Sequence, residues 1–312
     1  MSYIFDALQR REAEHSQTNS SDLPLATDLL RALESTAKLS KPDLEAPSER
    51  PAILDLTPQS GFSEEFESVP MSITPNSRLV CLSDTNCLAA EKFRFLGVRL
   101  RQLQQTRPLK KVLITSTIPE EGKSTVAANL AYTLARRRQQ KTLLLDGDLR
   151  RPALAKQFGL GSVPGLSEWL QDPSSPIRNI YCLEATGLWF LPAGNAPQNS
   201  LELLQSAALS PLLKQLSSWF DWIVIDSPPV LPLADTSVWI RSADGVLLVS
   251  REGKTEKQQL KRGLESIDKS KLLGAVINGS THVVQSNYYY LYGAKPISSP
   301  KPAAATIPPA ER

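Results

Sequence analysis

Residues 114–125 read Ile114-Thr115-Ser116-Thr117-Ile118-Pro119-Glu120-Glu121-Gly122-Lys123-Ser124-Thr125. The apolar run 111–115 ends there, a loop turns through Pro119, and a helical pattern over 123–138 opens on Gly122-Lys123-Ser124. Amides at a helix N-terminus converge where the helix dipole favours negative charge, so strand, loop and helix in this order cradle a polyphosphate. Lys123 then reaches the β- and γ-phosphates and the Ser124 hydroxyl ligates Mg²⁺. The stretch Glu121, Gly122, Lys123, Ser124 and Thr125 is the expected nucleotide-binding segment. The first glycine usual in such loops is replaced by Thr117.

Outward from this loop, apolar runs recur at 142–146, 188–191, 222–226, 245–249 and 272–277, separated by helical patterns near 152–158, 199–217, 235–241 and 255–268, with another helix at 87–105. Continuous apolar strands alternating with helices predict a doubly wound α/β domain whose mostly parallel sheet is covered on both faces. Two of the runs end in acids, Leu145-Asp146-Gly147-Asp148 and Ile225-Asp226. In open α/β sheets ligands bind beyond the carboxyl ends of the strands. Mg²⁺ commonly takes one or two carboxylates together with phosphate and water. Asp146, Asp148 and Asp226 beside Ser124 therefore predict a Mg-nucleotide site.

Composition excludes several other chemistries. The chain is 41% hydrophobic over 312 residues, which argues for a folded domain, and its 24 prolines exceed the average share. Cys81, Cys87 and Cys182 are too few for a disulfide framework. His15 and His282 furnish neither a His-rich metal site nor a Ser-His-Asp triad. Runs such as Ile223–Ile225 and Val246–Val249 fall far short of the roughly 18–20 apolar residues of a membrane span. With no secretory signal pattern at the start, the expectation is a cytoplasmic protein without its own transmembrane segment. A net charge of +3 gives no ground for nucleic acid, but it is unevenly spread. Residues 1–80 hold 7 Lys+Arg against 13 Asp+Glu, and the remainder holds 28 against 19. An acidic N-terminal stretch precedes a basic body.

The motifs together resemble a family. Thr115 through Ser124, then Leu143-Leu144-Leu145-Asp146-Gly147-Asp148-Leu149-Arg150-Arg151-Pro152, then Ile223-Val224-Ile225-Asp226-Ser227-Pro228-Pro229, are similar to the Walker A, A′ and B motifs of the bacterial tyrosine kinases. The cytoplasmic CpsD/CapB type of exopolysaccharide and capsule synthesis is the nearest form. Residues 242–249 and 272–278 follow that family's later strands. The resemblance implies a P-loop domain of the MinD/ParA kind that moves the γ-phosphate of ATP onto tyrosine. It implies that Lys123 and the loop amides hold phosphate, that Ser124, Asp148 and Asp226 serve Mg²⁺, and that Asp146 acts as base or orienter for the incoming phenol. Lys123, Asp146 and Asp148 are thus the candidate catalytic residues, and Asn278 matches a position that contacts adenine in related ATPases.

The same resemblance makes Tyr288, Tyr289, Tyr290 and Tyr292, four of the chain's seven tyrosines, the expected autophosphorylation cluster. It implies a membrane polysaccharide copolymerase as activating partner, with peripheral association at the inner face of the plasma membrane. Glu91, Arg94 and Arg99 resemble an oligomerisation helix in which Gly97 replaces an arginine, and self-association is expected. The expected organisation is an acidic tail over 1–77 with a short helix at 2–14, a kinase domain over 78–293 and a flexible tail over 294–312. Two other classes stay open. A Min/Par-type ATPase switch shares the fold, although Ile118 stands where those proteins carry a loop lysine; a non-catalytic nucleotide-binding adaptor would be favoured by Glu120, which adds negative charge near the phosphates.

Overall fold

Strands form from the apolar runs because each is buried on both sides, and the helices between them supply the cover. The computed structural model describes residues 66–72, 78–137 and 139–280. Its strands are β1 (Ser68–Val69), β2 (Lys111–Ser116), β3 (Thr142–Asp146), β4 (Tyr181–Leu183), β5 (Leu188–Leu191), β6 (Trp222–Asp226), β7 (Gly245–Arg251) and β8 (Leu272–Asn278). They make one sheet in the order β1-β4-β5-β3-β6-β2-β7-β8. Every neighbouring pair is parallel except β4 with β5. The helices are α1 (Val80–Ser83), α2 (Leu88–Thr106), α3 (Lys123–Ala135), α4 (Leu154–Gln157), α5 (Leu166–Gln171), α6 (Ser200–Gln205), α7 (Leu209–Trp219), α8 (Asp235–Ser242) and α9 (Lys257–Glu265).

Alternation along the strands divides the core in two. Leu113, Leu143, Leu145, Ile223, Ile225 and Leu248 pack on one face with Leu166, Leu203, Leu212 and Trp239 from α5, α6, α7 and α8. Val112, Ile114, Leu144, Val224 and Val249 face the other way, against Leu100 of α2 and Val126, Leu130 and Leu134 of α3. Side chains of this size contribute about 1.5–3 kcal/mol each when fully buried. The sheet therefore holds its helices on both faces, as the alternating runs predict.

Three details depart from the sequence reading. The single helix read over 199–217 is two, α6 and α7, with Ser206 extended between them. Pro211 has no N–H to continue a helix through Ala207, but it fits the first turn of a new one. Next, β1 lies within the stretch 1–77 read as an acidic tail. Ser68 and Val69 pair with Cys182 and Leu183, and Phe66 is buried with its ring 5.8 Å from that of Trp189. Finally, α1, α5 and β4 are too short to leave a period in the sequence. The helix expected at 2–14, the tail 294–312 and the tyrosines 288–292 lie outside the described residues.

Candidate active site

The adjacency β3-β6-β2 brings three strand ends together, and with them the motifs. Asp226 is the register partner of both Asp146 on β3 and Ile114 on β2. The chain leaves β2 at Ser116 and enters α3 at Lys123, with Gly122 as the N-cap at φ 89°. That left-handed geometry favours glycine, and a Cβ there would fall 2.1 Å from Asn278 Nδ2. Lys123 projects back over the strand ends. Its Nζ donates to Asp148 Oδ2 at 2.9 Å, lies 3.6 Å from Asp226 Oδ1, and sits 3.3 Å from Ser124 Oγ. Four residues from three separate segments thus surround one small volume.

The acids differ in their surroundings. Asp148 Oδ1 accepts from the Arg151 amide at 3.1 Å while its other oxygen holds Lys123. Asp146 is fully buried; its Oδ2 accepts from the amides of Ala153 and Leu154 and its Oδ1 from that of Asp148, at 3.2–3.3 Å. Burial, with the Asp226 charge beside it, pushes the Asp146 carboxyl up to about 7. Burial also raises Asp226 against the opposing pull of Lys123. At Lys123 burial draws the pKa down, but Asp226 and Asp148 outweigh it and the net direction is up. Neither oxygen of Asp226 has a hydrogen-bond partner.

Buried carboxylate oxygens left without donors suit a cation, and that is the ground on which the site fits Mg²⁺. Among the described residues no three His, Cys, Asp or Glu side chains form a metal cage. An ion held by one or two carboxylates, a hydroxyl and phosphate oxygens needs none. Ser124, Asp148 and Asp226 are the residues that would hold it.

Other placements refine the expectations. Asn278 donates its amide to the Glu121 carbonyl at 2.9 Å, so it props the loop from behind. Glu121 contributes more than its amide: its side chain is buried, with Oε2 accepting from the Ile118 amide at 2.9 Å and Oε1 accepting from the Thr255 hydroxyl. Glu120 points outward, 79% exposed, and is paired with Lys254 at 2.7 Å, so its charge is directed away from the phosphate cradle and offset. Thr117 is accommodated because Gly263 of α9 faces it; a Cβ on Gly263 would stand 3.1 Å from its hydroxyl. Arg150 makes a bidentate pair with the buried Asp235, at 2.9 and 3.0 Å, and Ser200 also donates to that carboxylate. This joins the Asp146–Arg150 turn to α6 and α8, a connection with no local signal in the sequence.

Gly147 separates the two acids because nothing larger fits. A Cβ there would lie 2.8 Å from the Asp226 carbonyl and from the Trp239 ring, while Trp239 Nε1 donates to the Gly147 carbonyl at 3.0 Å. Gly147→Ala is expected to lower stability by about 1–3 kcal/mol, the usual effect of overpacking, as read from a urea melt.

Comparison with known proteins agrees with this geometry. The sequence model of the family described as "ParA: NUBPL iron-transfer P-loop NTPase" matches residues 109–296. The tyrosine-protein kinase YwqD of Bacillus subtilis is 36% identical over 219 residues, covering 70% of this chain and 92% of its own. The succinoglycan biosynthesis transport protein ExoP of Rhizobium meliloti is 34% identical over 194 residues, 61% of this chain and 25% of its own. The kinase domain of the Escherichia coli tyrosine kinase ETK superposes with a TM-score of 0.61 at 27% identity, over 68% of this chain and 85% of that one. With matches of this length laid over the loop and strand ends just described, the chain belongs to the bacterial tyrosine-protein kinases, built on a ParA-type P-loop NTPase domain.

Proposed function

We propose that this chain transfers the γ-phosphoryl group of Mg-ATP to tyrosine hydroxyls, its own C-terminal tyrosines among them, as part of the control of exopolysaccharide or capsule synthesis. The observation that carries the reading is the convergence of Lys123, Asp148 and Asp226 beside Ser124 at the ends of β3 and β6. Phosphoryl transfer asks a protein mainly for positioning and charge stabilisation, and these residues supply both. Lys123 exchanges its carboxylate partners for phosphate oxygens. Ser124, Asp148 and Asp226 would hold Mg²⁺, which when bound would neutralise the phosphate charge. As the phenolic oxygen bonds to phosphorus, the bond to the bridging oxygen breaks and ADP leaves with that electron pair. The phenolic proton passes to Asp146, whose raised pKa of about 7 suits a proton acceptor at neutral pH.

The substrate tyrosines proposed are Tyr288, Tyr289, Tyr290 and Tyr292, presented to another copy of the chain. Each phosphate adds about −1.5 to −2 charge, which loosens an assembly of like subunits. Self-association is supported by Phe95 and Val98 on α2, 66% and 46% exposed. On the same helix Glu91 and Arg94 pair at 2.7 Å, and Gly97 turns inward against Thr133. For activation we propose a membrane polysaccharide copolymerase that brings the chain to the inner face of the plasma membrane. Support comes from the name of the ExoP relative, while among the described residues no helix is long and apolar enough to cross a membrane.

An anti-phosphotyrosine blot after incubation with Mg-ATP tests the reading. Wild type is expected to label itself, and a variant with Tyr288, Tyr289, Tyr290 and Tyr292 changed to Phe to lose most of the signal while still binding ATP. Hydrolysis of ATP without phosphotyrosine, even with the partner's cytosolic segment added, would instead favour an ATPase switch.

A further inference from the structure

The phosphate loop holds a residue in a conformation that the residue does not favour. Glu120 has φ 65°, in the left-handed region, which crowds the Cβ of any residue other than glycine against the backbone. A loop kept in that shape requires restraint from outside itself, and the restraint comes from the end of β7 and the turn that leads into α9. Arg251 donates through Nη1 to the Glu120 carbonyl at 3.3 Å, and Lys254 pairs with the Glu120 carboxylate. Thr255 donates its hydroxyl to Glu121 Oε1 and accepts from the Arg251 amide at 3.0 Å, so both capacities of the hydroxyl are used. These contacts differ in weight. The Lys254 pair is largely exposed and screened by water, so it holds the loop weakly. The bond from Thr255 ends on a buried carboxylate that also fixes the Ile118 amide, and hydrogen bonds to charged groups are stronger than neutral ones.

We propose that Thr255 is a positioning residue for the nucleotide: acting through Glu121, it fixes the shape of the 117–122 loop whose amides receive the phosphates. This rests on the nucleotide reading above. The geometry is a relay in two steps. Thr255 orients the Glu121 carboxylate, and Glu121 then holds the Ile118 amide, three residues back, so that the loop between them stays closed. Asn278 secures the opposite end at the Glu121 carbonyl. Without the hydroxyl, Glu121 is free to rotate away and Glu120 to relax from its left-handed conformation, and the loop amides no longer converge.

The test measures Mg-ATP affinity, using a fluorescent ATP analogue, together with KM and kcat, on the full chain. Thr255→Val is expected to weaken binding about tenfold, the equivalent of one charged hydrogen bond, with the loss in KM rather than kcat. Thr255→Ser, which restores the hydroxyl, is expected to stay within about twofold of wild type. The melting temperature without nucleotide should fall by only a few degrees for Thr255→Val and be restored in Thr255→Ser, and the affinity loss should persist at a temperature well below every midpoint, which separates positioning from general stability. In a Glu121→Ala background Thr255→Val should add nothing, because the two residues act as one unit. Equal affinity for Thr255→Val and wild type, or full additivity with Glu121→Ala, would overturn the proposal while leaving the nucleotide site intact. No binding by wild type would instead remove the nucleotide reading on which the proposal stands.

Discussion

Lys123→Met is expected to abolish phosphotyrosine formation and, in the nucleotide-free protein, to lower the melting temperature by about 10 °C. The first effect follows from the loss of a preorganised positive charge at the transferring phosphate, where a single donor is commonly worth 10²–10³ in rate, so a drop of at least about a hundredfold is anticipated. The second follows from what Lys123 does before nucleotide arrives. It is the cation that faces Asp148 at 2.9 Å and Asp226 at 3.6 Å inside the fold. Removing one member of a buried ion pair costs about 3–5 kcal/mol, because the other charge stays buried without compensation. A change of 1 kcal/mol moves the midpoint of a domain this size by about 2–4 °C. The sign with pH is fixed as well. Lys123 has a folded pKa raised above its ordinary value. Its stabilising contribution is therefore fully present below the unfolded pKa of 10.5 and is lost only as pH rises through the higher folded value. Calorimetry at pH 8 should show the deficit in full. Equal midpoints for the variant and wild type there would mean that the Lys123–Asp148 pair contributes nothing to the fold.

How much of this could be read from the sequence depends on the range of each interaction. β3 and β6 were legible because parallel strands buried on both faces appear as unbroken apolar runs, Thr142–Leu145 and Trp222–Ile225, each ending abruptly in an acid. The phosphate loop was legible because Gly122, Lys123 and Ser124 lie next to one another in the chain. That Asp146 and Asp226 are register partners was not, since 80 residues separate them and only the strand order makes them neighbours. The contacts of Glu121 with Thr255 and of Glu120 with Lys254 each span 134 positions. Reading along the chain, Glu120 therefore counted as unopposed negative charge near the phosphates; in the fold it is directed outward and balanced. β1 escaped for a different reason: two residues hold no period, and Ser68–Val69 owe their conformation to β4. Local order is encoded locally, whereas the restraint of the loop comes from tertiary neighbours.

Asp226→Asn is expected to act in opposite directions on activity and on stability, in contrast to Lys123→Met, which lowers both. Phosphotyrosine formation should fall at least about a hundredfold, because the site loses one of the two carboxylates that would balance Mg²⁺ against the phosphates. The metal-free, nucleotide-free protein should become more stable by a few degrees. Asp226 is a carboxylate buried beside Asp146, its oxygens lack hydrogen-bond partners, and burial raises its pKa above the ordinary 3.8. A neutral amide of the same shape costs less to bury than a carboxylate in that position, and Lys123 keeps its closer partner in Asp148. The pH dependence has the sign opposite to that of a salt-bridged acid. For Asp146, raised from 3.8 to about 7, the folded state binds a proton that the unfolded state has already released. The contribution of Asp146 to stability is therefore most favourable below 3.8, declines as pH rises towards about 7 and levels off beyond it. With Asp226 neutral, one source of the upward shift at Asp146 is gone, so the decline should be shallower in the variant. Melting curves from pH 4 to 8 with chelator present would show it. A lower midpoint for Asp226→Asn at pH 8 would mean that Asp226 stabilises the empty fold, whereas a higher one would identify it as a carboxylate kept for the nucleotide at a cost to stability, the trade-off expected of an active-site group.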